Sequence, residues 1–173
     1  MKQHLVVILL SVLTVTSMHA QSATPFDPAE DLQTSNLKGL NAVGVVVSEL
    51  NADLESSGLT DDQIKADTEG RLRKSGIRVL NGRERLNTAG EPYLSVIIDT
   101  SCNNPTNLCA LYVAVRVVER THLERDSTIR TYASTWARES PLMIVGKDRL
   151  DSVRDLVNEF VEQFKKALRA ANT

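Results

Sequence analysis

Aromatic residues are scarce in this 173-residue chain: three Phe, three Tyr and one Trp, 4% in all. A sugar-binding groove or a base-stacking platform depends on several aromatic faces, so the composition argues against both. Cysteine is limited to Cys102 and Cys109, and histidine to three residues. A zinc site needs several clustered His or Cys ligands, and these are missing. An excess of one charge is missing too, with 20 Lys+Arg against 22 Asp+Glu. Such a chain has no bulk attraction for nucleic acid or for an anionic membrane. There is no Gly-x-Ser-x-Gly elbow and no glycine-rich phosphate loop. Gly146-Lys147 is followed by Asp148, and no glycine stands five positions earlier. Beyond residue 20 no apolar run is long enough to span a bilayer. No metal and no cofactor is expected from this inventory.

What is present begins with an export signal. Lys2 gives a positive start, Leu5 to Val15 is a short apolar run, and Met18-His19-Ala20 ends on a small residue. This is the layout of a secretory signal peptide over residues 1–20. No cysteine lies in it or just after it, so it offers no site for a bacterial lipid anchor. Lys2 is the only charged side chain removed, which takes the formal net charge from −2 to −3. The expected product is periplasmic or secreted and soluble after cleavage. In an oxidising compartment Cys102 and Cys109 read as a disulfide. Residues 21–38 carry Pro25, Pro28 and small polar residues without a period, and read as a flexible leader. Residues 39–173 then form a single domain.

Val43 to Leu50 has the composition of a buried strand. A helix follows, with Thr60 as N-cap, Gln63 as its partner, Leu59 stapled to Ile64, and Gly76 as the stop. Gly70 lies inside this helix, where it costs stability unless a close approach to the sheet requires it. Ile77 to Leu80 is a short strand, parallel to the first. Tyr93–Thr100, Ala110–Leu123 and Thr128–Ala137 form an antiparallel meander. A long helix from about Asp148 to Ala171 carries Leu150, Val153, Val157, Phe160, Val161, Phe164, Leu168 and Ala171 on one face. The order β-α-β-β-β-β-α gives an α+β two-layer sandwich, one mixed sheet packed on two helices.

Alternation divides the sheet into two faces. Leu94, Val96, Ile98, Leu111, Val113, Val115, Val117, Ile129, Ala133 and Ala137 suit the helix side. Tyr93, Ser95, Ile97, Asp99, Tyr112, Arg116, Arg130, Tyr132, Ser134, Trp136 and Arg138 then line an open face. Tyr, Trp and Arg are enriched at interface hot spots. The candidate binding residues are therefore Tyr112, Arg116, Arg130, Tyr132, Trp136 and Arg138. A second candidate is the basic run Arg71, Arg73, Lys74, Arg78, Arg83 and Arg85, able to dock phosphate-bearing lipid or an acidic protein. His122, the one histidine left after cleavage, sits at a strand end beside Arg120, Glu124 and Arg125. It reads as a surface residue, and Asp99 has no partner carboxylate.

Glu49-Leu50-Asn51 through Gly58-Leu59-Thr60, Arg71-Leu72-Arg73-Lys74, Gly76-Ile77-Arg78-Val79-Leu80 and Pro92-Tyr93-Leu94 resemble a family of small exported bacterial proteins without an assigned activity. The resemblance covers residues 40–168. The element order is also similar to the N-terminal domain of the Tol-system propeller protein and to auxiliary lipoproteins of ABC transporters. The resemblance implies an envelope partner rather than a reaction. The leading expectation is a non-catalytic binding or assembly module of the cell envelope with a protein partner. The alternatives are a carrier of a small apolar ligand between sheet and helices and, third, a hydrolase using His122 or Asp99. Partner, pathway and oligomeric state are not encoded in any motif.

Overall fold

A computed structural model of the protein describes residues 33–173. The expected signal peptide and residues 21–32 of the expected leader lie outside the described residues. Strand β1 (Ala42–Val47) is followed by a short helix α1 (Ala52–Ser56) and by α2 (Asp61–Lys74). A two-residue strand β2 (Arg78–Val79) and a short helix α3 (Gly82–Leu86) come next. Then come β3 (Tyr93–Asn103), β4 (Leu108–Leu123), β5 (Asp126–Glu139) and β6 (Met143–Gly146). A 3-10 turn, Lys147–Ser152, leads into α4 (Val153–Ala171). The fold is the expected α+β arrangement of one mixed sheet with helices.

The sheet runs β2-β1-β3-β4-β5, with β6 continuing alongside the first residues of β4. β1 is parallel to both β2 and β3, and the remaining pairs are antiparallel. Local chemistry sets the elements. Thr60 caps α2 by accepting from the Gln63 N–H, and Leu59 and Ile64 are both buried at that end. Gly76 takes φ 79°, the left-handed turn that lets the chain leave the helix for β2. Cys102 and Cys109 are register partners on β3 and β4 and are joined by a disulfide.

The core lies between the sheet and the helices. β3 and β4 supply Leu94, Val96, Ile98, Leu111, Val113, Val115 and Val117, all buried. α4 answers with Val153, Val157, Phe160, Val161, Phe164 and Leu168, spaced as the sequence foretells. α2 adds a narrower stripe, Ile64, Thr68 and Leu72.

Four expectations need correction. The leader does not extend to residue 38: Gln33 to Ser35 are helical and Leu37 is fully buried in the core cluster. Gly70 is not explained by close approach, since a Cβ added there would meet nothing. The largest correction concerns β5. Val117 pairs with Trp136, but Val118 pairs with Ser134, so a bulge adds one residue to β5. One extra residue inverts the alternation beyond it. Tyr132 and Ser134 stay on the open side, whereas Trp136 and Arg138 turn to the helix side and Ala137 turns away from it. Trp136 is 1% exposed, and its ring packs edge-on against Phe164 at 5.3 Å. Ile129 also departs from expectation and is exposed, because the β4–β5 hairpin runs on past the helices.

Candidate functional site

The face of the sheet turned away from α2 and α4 carries two fixed polar clusters. In the first, Arg116 on β4 donates from Nε to Glu139 (2.8 Å) and from Nη2 to the Tyr112 hydroxyl (2.9 Å). Burial, then the nearby Glu139 carboxylate, hold the Tyr112 phenol above its ordinary pKa. A guanidinium engaged on two sides has little rotamer freedom left to lose on binding.

The second cluster centres on Glu91, which sequence reasoning missed. Gly90 and Glu91 both take positive φ, 75° and 47°. A non-glycine residue in this region is uncommon and strained. The turn is held by the Arg120 N–H, which donates to Gly90 O at 2.6 Å. The conformation directs the Glu91 carboxylate inward, and the residue is only 5% exposed. A buried carboxylate needs partners. Arg120 Nη1 pairs with it at 2.5 Å, and the Tyr132 hydroxyl donates to it. That hydrogen bond to Glu91 raises the Tyr132 phenol above its ordinary pKa. The Tyr132 ring stands edge-on to Tyr93 at 6.4 Å, and the Arg85 guanidinium lies over Tyr93 at 5.2 Å. Gly44 makes this possible, since a Cβ there would sit 3.0 Å from Arg85 Cδ. The only sequence signal for the turn was Gly90-Glu91-Pro92 itself.

No family model matches this sequence, and no curated protein does. The site therefore has to be read from its own chemistry.

Of the six expected binding residues, Tyr112, Arg116, Arg130 and Tyr132 share the open face. Arg130 is exposed in register with His122. Trp136 and Arg138 do not belong to it. Arg138 stacks on Trp136 and donates to Gln163 on α4 at 3.1 Å.

The basic run does not form one patch. Arg71 turns towards α4 and pairs with Glu162 at 3.4 Å. Arg73 pairs with Glu69 at 2.8 Å, and Arg78 with Glu84 at 2.8 Å. Lys74 and Arg83 are exposed, and Arg85 belongs to the open face. His122 and Asp99 are exposed on separate parts of the sheet. Among the described residues no group of three His, Cys, Asp or Glu could hold a metal ion.

Proposed function

We propose that the protein is a non-catalytic binding module of the cell envelope that recognises a protein partner through the open sheet face. The observation that carries this reading is the fixed set of tyrosines and arginines there. Tyr132, half exposed, is anchored by Glu91 and Tyr93, and Arg116 is anchored by Tyr112 and Glu139. Preorganised aromatic and guanidinium groups bind with little ordering cost, and they are the types that dominate interface energetics. Export is supported by the residue 1–20 layout and by the Cys102–Cys109 bond, which suits an oxidising compartment. The closely buried side chains between sheet and helices, Trp136 and Phe164 among them, favour surface recognition over carriage of an apolar ligand.

The double variant Arg130→Ala/Tyr132→Ala tests the reading. Both side chains are exposed and Arg120 still pairs with Glu91 in the variant, so the folded state should survive, as a denaturant melt will report. Capture of an envelope protein by the wild type, lost in this folded variant, is the expected result. Capture that is unchanged in the variant would overturn the assignment of the face.

A further inference from the structure

The two outer edges of the sheet are treated differently. An unpaired strand edge is a template for another chain, and proteins commonly cover it. On β5 the cover is present: Gln33 Oε1 accepts from the Ala137 N–H, and Asn36 Nδ2 donates to the Thr135 carbonyl. Two side-chain amides thus occupy edge groups of β5. On β1 the equivalent cover stops short. β2 pairs only with Ala42 and Val43, and the Leu80 N–H to Val43 O bond, 2.9 Å, is the last on that edge among the described residues.

Beyond it the chain is turned away. Asn81 and Glu84 form a capping box that starts α3, and Arg78 clamps Glu84 at 2.8 Å. Alternate residues of a strand direct their N–H and C=O to opposite neighbours. The Gly44 and Ser48 N–H groups bond to β3, and the Val43 carbonyl bonds to the β2 side. By that alternation the backbone groups of Val45 and Val47 point to the outer edge. A cleft of about 510 Å³ lies where a longer β2 would have continued. Val45 and Val46 form its floor, Lys65, Glu69 and Arg73 of α2 one wall, and the Leu80–Arg85 segment the other.

We propose that this cleft binds an extended peptide segment that adds to the β1 edge as a strand and carries acidic side chains. Strand addition takes affinity from main-chain hydrogen bonds and specificity from alternate side chains. Alternate side chains of an added strand would reach Lys65 and Arg73 on the helix side and Arg85 on the open side. Glu69 and Glu84 each already have a cationic partner, in Arg73 and Arg78. Lys65 and Arg85 make no ion pair among the described residues, so the cleft is left complementary to carboxylates. The site meets the Tyr132 cluster at Arg85, which lies over Tyr93, whereas its β1 edge and its Lys65 and Arg73 wall belong to the cleft alone.

The probe is a displayed random dodecapeptide library, selected on the full protein and counter-selected on Lys65→Glu/Arg73→Glu. Enriched peptides are expected to be acidic. As free peptides they should slow exchange of the Val45 and Val47 amides by about tenfold or more, while binding to the charge-reversed variant weakens by about tenfold. Val45→Pro removes an edge donor and should also abolish binding; the exchange measurement on the wild type stands even if that variant misfolds. Arg130→Ala, at a residue outside the cleft lining, should bind the peptides as the wild type does. Failure to enrich any discriminated peptide would overturn the proposal. So would peptides that leave the Val45 and Val47 amides unprotected, or protection of those amides by self-association of the protein alone.

Discussion

The two faces of the central sheet are made from the same strands with opposite chemistry. The helix side of β3 and β4 is Leu, Ile and Val, closed by Trp136 and Phe164. Burial of that kind is non-directional and scales with apolar area. The open side of the same strands mixes Tyr, Arg, Ser and Asp with Ile97, Ala114 and Val118, and its half-buried polar groups are held by named partners such as Glu91 and Glu139. Such contacts contribute little net stability and much geometry. Strand parity therefore divides labour in this molecule: one parity holds the fold, and the other presents a surface.

Trp136 and Tyr132, four positions apart on one strand, give the sharpest way to break that division. Trp136→Ala should cost about 3–5 kcal/mol, as for other buried aromatics. Tyr132→Ala should cost less, because its ring is half exposed and Arg120 still pairs with the Glu91 carboxylate that loses the hydroxyl. Paired urea melts with the same slope would measure the difference. Comparable losses from both variants would mean that the open face is also structural.

The same pair marks how far the sequence was legible. Leu94, Val96 and Ile98 on one strand and Leu111, Val113, Val115 and Val117 on the next put a large aliphatic residue at every second position. These strands and their faces are therefore legible in the sequence, as are the two principal helices from their own periodicity and caps. The Cys102–Cys109 link could be read from compartment and spacing. The bulge could not, because Ser134-Thr135-Trp136 contains no glycine or proline to mark an inserted residue. Unbroken alternation therefore puts Trp136 and Arg138 on the wrong side of the sheet. Leu37 was missed for a different reason: a single apolar residue in a polar segment has no period. Glu91 was hidden in a turn, where burial depends on a backbone conformation rather than on pattern. β6, α1 and α3 are too short to show periodicity.

A smaller effect is expected on the outer side of the helix layer. Gly70 stands inside α2 with open space around its Cα and an ordinary negative φ. Ala there meets no neighbour and removes the conformational entropy that glycine carries in the unfolded chain. Gly70→Ala should stabilise the protein by about 1 kcal/mol, read as a higher urea midpoint at unchanged slope. A destabilised variant would mean that α2 needs its glycine for a contact that the packing does not reveal.

The smallest effect should depend on acid and salt. Asp67 on α2 accepts from Arg154 Nε on α4 at 2.5 Å, joining the two helices on their solvent side. That hydrogen bond, reinforced by the charges of Arg154 and Arg71 and opposed by partial burial, lowers the Asp67 pKa below its ordinary 3.8. A carboxylate depressed in the folded state contributes stability above its unfolded pKa and loses it as pH falls through the folded value. Asp67→Asn should therefore lower stability slightly at neutral pH. The gap from the wild type should begin to close below about pH 4, near the unfolded carboxylate pKa, and disappear in stronger acid. Because the pair is partly exposed, added salt should shrink the gap at neutral pH. Melts of both proteins across this range, at low and high salt, measure it. A gap that persisted unchanged in strong acid would assign the contribution of Asp67 to packing between α2 and α4 rather than to its charge.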